Sequence, residues 1–133
     1  MNTRLLLVGC GKMGSAMLEG WLARGLVASN VFIVEQAEAA EKLESKYGIN
    51  GITDVADMRS DFIPQVVLFA VKPQVLPDVI DAYKPLVRAE TVFLSVAAGK
   101  TIDFFTSHLG DTARIVRSMP NTPAAVSRGM TVM

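Results

Sequence analysis

The sequence predicts an α/β fold, a doubly wound and mainly parallel sheet, and three observations carry that expectation. Short apolar runs alternate with helix-patterned segments along the whole chain. One of them, Val66-Val67-Leu68-Phe69, is continuously apolar, as expected of a strand buried on both faces. The first run, Leu5-Leu6-Leu7-Val8, leads at once into Gly9-Cys10-Gly11-Lys12-Met13-Gly14, a glycine turn that opens a helix. Parallel neighbours need crossover connections, which the intervening helices supply in the usual right-handed sense.

The elements follow in order. Arg4–Val8 reads as the first strand. Lys12–Arg24 is the first helix, with Met13, Ala16, Met17 and Gly20 on its inner face and Gly25 as its stop. Val31–Val34 is the second strand, and Ala37–Tyr47 is a charged helix ending at Gly48. Ile52-Thr53 is at most a short third strand, and Asp54–Ser60 a short helix. Gln65–Ala70 is the fourth strand. Val75–Arg88 is helical, bent or restarted at Pro77 and disrupted at Pro85. Thr91–Ser95 is the fifth strand, Thr101–Leu109 a helix and Ala113–Arg117 the sixth strand. Gly129–Met133 begins a further strand.

Composition narrows the class. The 133 residues amount to one domain, 1–133, with half of them hydrophobic and thus a sizeable core. Thirteen basic and thirteen acidic residues cancel, and no basic patch stands out, so nucleic acid is not an expected partner. No apolar run is long enough to span a bilayer, and no secretory signal opens the chain, so neither membrane nor export is expected. A single cysteine excludes an internal disulfide framework and fits a reducing cytoplasm. One Cys and one His do not make a metal ligand set. Cys10 reads as a small side chain in a tight turn rather than a nucleophile, since no base lies near it in sequence.

The glycine turn points to a dinucleotide. Gly9 permits the sharp exit from the strand, Gly11 lets backbone approach a pyrophosphate, and Gly14 lets the helix pack closely on the sheet. Free N–H groups of the first helical turn and the positive end of its dipole favour the phosphate charge. Alone, this motif is weak, because a glycine turn can be purely structural. Its context strengthens it. The second strand ends at Glu35, about 20 residues past Gly14, where an acidic side chain accepts hydrogen bonds from a ribose.

Ligands of such sheets bind beyond the C-terminal strand ends, so the loops there should be unusual, and they are. After the fourth strand, small Ala70 is followed by Val71, by Lys72, which either places a cation near the ligand or is a solvated residue at a helix entry, and by Pro73, which stiffens the turn. After the fifth, Ala97, Ala98 and Gly99 clear space, although a tight helix contact would use the same residues. After the sixth, Met119-Pro120-Asn121-Thr122-Pro123 is a rigid loop in which Asn121 either orients a carboxamide or substrate group or simply makes the turn.

Together the segments V-G-C-G-K-M-G, F-A-V-K-P-Q, S-V-A-A-G-K and R-S-M-P-N-T-P-A resemble the amino-terminal half of the pyrroline-5-carboxylate reductase family, from about Leu5 to the chain end. The last three are far more specific than the glycine motif. The resemblance implies a Rossmann-like domain binding NAD(P)H and reduction of 1-pyrroline-5-carboxylate, a small-molecule imine, to L-proline. It places the cofactor on Gly9, Cys10, Gly11, Lys12, Met13, Gly14, Glu35, Gln36, Ala70, Val71, Lys72, Pro73, Ala97, Ala98 and Gly99, with Asn121 close to the nicotinamide and substrate. No residue stands out as catalytic.

Two departures from the family matter. Members preferring NADPH tend to carry small hydroxyl or basic residues where Glu35-Gln36 stands here. A carboxylate repels a 2′-phosphate and accepts from a free 2′-hydroxyl, so NADH is expected to be preferred over NADPH. The family's C-terminal helical domain, which forms the dimer and much of the substrate pocket, is absent from these residues. The chain therefore reads as a fragment, an excised domain or a stand-alone relative. A run breaking off at Thr131-Val132-Met133, just after a strand begins, favours truncation. A homo-oligomer formed through the C-terminal region is expected. The cofactor domain of another imine or β-hydroxyacid reductase, and a non-catalytic dinucleotide-binding module, remain as alternatives.

Overall fold

The computed structural model describes residues 3–9, 11–58, 61–71, 74–95 and 102–117. Six strands form one sheet: β1 (Leu5–Val8), β2 (Val31–Val34), β3 (Asn50–Ile52), β4 (Val66–Phe69), β5 (Val92–Ser95) and β6 (Arg114–Arg117). Their order is β3-β2-β1-β4-β5-β6, and all five pairings are parallel. The chain thus winds outward from β1 in one direction and from β4 in the other, the doubly wound pattern expected from the sequence. Strand β3 begins two residues earlier than Ile52. The expected strand at Gly129–Met133 lies outside the described residues.

Alternation along each strand sorts its side chains onto two faces. Leu5 and Leu7 of β1, Val31 and Ile33 of β2, Val66 and Leu68 of β4 and Leu94 of β5 belong to one core cluster. Helices α1 (Gly11–Ala23) and α2 (Ala37–Tyr47) cover that face with Met17, Leu18, Trp21, Leu43 and Tyr47. Leu6, Val8, Phe32, Val67, Phe69 and Phe93 point the other way. They meet Leu76, Ile80, Tyr83, Phe105 and Leu109 from the segments that follow β4 and β5. Every residue of β1, β4 and β5 is buried, which explains why β1 and β4 read as unbroken apolar runs.

Helix α1 corrects one expectation. Its inner face carries Gly14, Met17, Leu18 and Trp21, while Ala16 is exposed and Gly20 only half-buried; the Met13 side chain lies outside the described residues. The observed set follows the i, i+3, i+4, i+7 stripe and puts the largest side chain, Trp21, entirely out of water. Burying an indole outweighs close packing by a glycine. Its Nε1 nevertheless finds no hydrogen-bond acceptor among the described residues.

The crossover from β4 to β5 is the second correction. Rather than one helix over Val75–Arg88, it is a short helix α3 (Leu76–Val79) followed by a 3-10 segment, Ile80–Leu86. Pro77 sits in the first turn, where its missing N–H is harmless, but Pro85 lies inside the second segment and removes a helical donor. Asp54–Ser60 likewise reduces to a 3-10 turn, Val55–Asp57, which Asp54 caps by accepting from the Ala56 N–H at 2.9 Å. Helix α4 (Ile102–Leu109) is tied to the 3-10 segment by His108 Nδ1 and Asp81 Oδ1, 2.9 Å apart.

Glycines punctuate the helix ends as expected. Gly25 and Gly48 follow α1 and α2 with φ of 106° and 74°. Gly51 is a tighter constraint: a Cβ there would lie 2.6 Å from the Ala40 carbonyl oxygen, so this glycine lets α2 close onto the short edge strand β3.

Candidate functional site

The winding reverses between β1 and β4, so a crevice opens at their C-terminal ends. Three backbone bonds carry the ladder one residue past the strands. Gly9 N–H donates to Val34 O, Ala70 N–H to Val8 O and Glu35 N–H to Ile52 O, each at 2.9 Å. Gly9, Ala70 and Glu35 are thereby fixed along one edge of the sheet by the fold itself.

Gly9 is where the chain leaves β1 for α1. Its φ is 76°, a left-handed conformation that side-chain-bearing residues rarely adopt. A Cβ at this position would lie 2.6 Å from Val71 Cγ1, 3.2 Å from Val71 N and 3.3 Å from its Cα. Glycine is therefore required twice, by dihedral and by space. The turn starts α1 at Gly11, immediately beyond the strand, and aims its first N–H groups at the crevice. No acidic residue occupies the first turn of this 13-residue helix, so its positive end is not neutralised from within. Gly14 is buried as α1 comes down on the sheet.

On the β2 side stands Glu35, half-buried. Its Oε1 accepts from the Gln36 N–H at 3.0 Å. Gln36 is the extended N-cap residue of α2, and its side chain is exposed. The carboxylate is thus held where α2 begins, favoured by that helix's dipole. On the β4 side stand Ala70 and Val71, both half-buried, with Val71 leaning on Gly9.

The structure therefore brings together Gly9, Gly14, Glu35, Gln36, Ala70, Val71 and the backbone of Gly11, Lys12 and Met13. The side chains of those last two, and Cys10, Lys72, Pro73, Ala97, Ala98, Gly99 and Asn121, lie outside the described residues.

The remaining polar groups belong to the scaffold. Tyr83 packs edge-on against Phe69, and burial, assisted by the Asp54 charge, raises its phenol well above the ordinary tyrosine range. It stays neutral and acts as core. A hollow of about 160 Å³ beside Pro64 and Arg88 lies at the entries to β4 and β5, at the opposite end of the sheet. Among the described residues no group of three His, Cys, Asp or Glu could hold a metal, and no helix is long and apolar enough to cross a membrane.

A 3-2-1-4-5-6 parallel sheet, a left-handed glycine after β1, an open helix N-terminus and an acidic end to β2 define a Rossmann-like nucleotide-binding domain. The chain belongs to the family described as NADP oxidoreductase, coenzyme F420-dependent, whose model matches residues 4–107. It is 32% identical over 133 residues to a pyrroline-5-carboxylate reductase of Escherichia coli K12, covering 98% of this chain and 49% of that protein. A pyrroline-5-carboxylate reductase of Methanosarcina acetivorans is 34% identical over 128 residues, covering 95% of this chain and 47% of that one. The structure of a pyrroline-5-carboxylate reductase from Coxiella burnetii superposes with a TM-score of 0.81 at 26% identity, over 95% of this chain and 47% of that one. The chain spans about half the length of the curated relatives it matches.

Proposed function

We propose that this chain is the NAD(P)H-binding half of a pyrroline-5-carboxylate reductase, acting in reduction of the ring C=N of 1-pyrroline-5-carboxylate to L-proline. The observation that carries this reading is the joint one. Four segments resembling the family follow β1, β4, β5 and β6 in the sequence, and relatives bearing that name align over nearly the whole chain.

The described residues fit a dinucleotide. Gly9 lets the chain turn tightly against Val71 into α1, whose first N–H groups would meet a pyrophosphate. Glu35 accepts from the adenosine ribose. By the resemblance, Lys72, Ala97, Ala98 and Gly99 would also hold the cofactor, and Asn121 would act on the carboxamide or the substrate. When bound, the reduced nicotinamide supplies the hydride. The protein's part is to hold the imine carbon against it and exclude competing geometries. A helical second half, as in the family, supplies the dimer contact and much of that substrate pocket.

The test is oxidation of NADH in the presence of pyrroline-5-carboxylate, for this chain and for a version extended into any coding sequence that follows it. Turnover by the extended form, with cofactor binding by both, is the expected result. Retained NADH binding without turnover in either form contradicts the reductase reading and leaves a binding module.

The same reading makes NADH the preferred cofactor. Glu35 places its carboxylate where a 2′-phosphate would otherwise sit, and desolvating two like charges there is unfavourable. Titration of both cofactors should show tighter NADH binding. Glu35→Ser should narrow the ratio by about tenfold, or roughly 1.4 kcal/mol. Equal or tighter NADPH binding by the unmodified chain contradicts the preference.

A further inference from the structure

We infer that Glu44 is a positioning residue for Glu35: by holding strand β3 from its open edge, it fixes the carboxylate that receives the adenosine ribose. This role rests on the cofactor reading above and falls to a residue that touches no ligand. Glu35 is joined to its surroundings at two points. Its N–H donates to the Ile52 carbonyl of β3 at 2.9 Å, and its Oε1 accepts from the Gln36 N–H, where α2 starts, at 3.0 Å. The first contact is only as firm as β3, a three-residue strand at one end of the sheet order.

Backbone groups of successive strand residues face opposite sides. The Ile52 carbonyl faces β2, so the Gly51 N–H points to the open edge, beyond which no described strand lies. Glu44 Oε2, reaching over from α2, accepts that N–H at 3.3 Å. The helix comes this close because Gly51 has no side chain to meet the Ala40 carbonyl. The contacts close a ring. Glu35 holds the start of α2, α2 holds Gly51 through Ala40 and Glu44, and β3 returns through Ile52 to Glu35. The helix itself gives no reason for an acidic residue here. Glu44 lies in the last turn of α2, where a negative charge opposes the dipole, and its side chain is exposed. A charge-assisted bond to an otherwise unpaired edge donor is its specific contribution.

The experiment is titration of NADH and NADPH into the unmodified chain, Glu44→Ala and Glu44→Gln, each also made in a Glu35→Ser background. Alanine is the best helix former, so α2 is kept, and a melting curve followed by circular dichroism verifies the fold. The readout is the ratio of the NADPH to the NADH dissociation constant. Glu44→Ala should lower that ratio about threefold, the scale of one modest hydrogen bond, because a loosened Glu35 holds the ribose less well and repels a 2′-phosphate less. Glu44→Gln keeps an acceptor oxygen and should stay within about twofold of the unmodified chain. With serine at position 35, Glu44→Ala should leave the ratio unchanged, since the group it positions is gone. A merely structural role would weaken both cofactors alike and in both backgrounds. That outcome, an unchanged ratio in Glu44→Ala, or an equal fall with serine at position 35 overturns the role of Glu44 and leaves the cofactor reading standing. Failure of the unmodified chain to bind either cofactor, or a preference for NADPH, overturns the reading of Glu35 and the role of Glu44 with it.

Discussion

Gly9→Ala is expected to remove dinucleotide binding and to lower the unfolding free energy by roughly 2–4 kcal/mol, the sum of a left-handed dihedral and an overpacked contact. Both terms are visible at the residue. Its φ is 76°, and the new methyl would meet Val71 Cγ1 at 2.6 Å with Val71 backbone close behind. Val71 is β-branched and therefore stiff at χ1, so relief has to come from moving the chain after β4 or the start of α1. Either movement displaces a wall of the crevice. Gly48 supplies the internal control. Its φ is 74°, nearly the same, but nothing lies within 4 Å of a Cβ there. Gly48→Ala should therefore cost only the dihedral, about 1 kcal/mol, and leave ligand affinity unchanged. Urea titration of the two variants separates strain from collision. Equal losses in both would mean that the Gly9–Val71 contact contributes nothing.

The second large effect is expected at Phe69, the last residue of β4 and fully buried. Its ring meets Tyr83 edge-on at 5.5 Å and stacks with Phe93 and Phe105 at 6.1 and 5.9 Å. These partners come from the 3-10 segment, β5 and α4, so one side chain joins both crossovers on this face to the sheet. Phe69→Ala should cost about 3–5 kcal/mol, a large share of a domain's total stability. Phe69→Leu keeps most of the volume and should cost about 1–1.5 kcal/mol. The denaturation midpoint should fall in that order at constant slope. Phe69 also directly precedes Ala70 and Val71, so the alanine variant should weaken NADH binding beyond what its unfolded fraction explains. A midpoint close to that of the unmodified chain would contradict the packing role given to this ring.

The sheet was legible because its strands are buried on both faces, which leaves unbroken apolar runs such as Leu5–Val8 and Val66–Phe69. The glycine turn and Glu35 were legible because backbone dihedral and strand spacing restrict which residues fit there. Helix α1 was harder. Residues 13–21 offer two overlapping apolar stripes, and only the burial of Trp21 chooses between them. The β4–β5 crossover was misread in extent because Pro77 is compatible with a first turn, whereas Pro85 is not compatible with continuing an α-helix.

The central claim is that the crevice at the ends of β1 and β4 holds a nicotinamide dinucleotide. Calorimetric titration of NADH into the unmodified chain, Gly9→Ala and Gly48→Ala tests it most directly. Saturable one-to-one binding by the unmodified chain and Gly48→Ala, lost in a folded Gly9→Ala, is the predicted result. Absence of saturable binding, or binding that Gly9→Ala leaves intact, would contradict it.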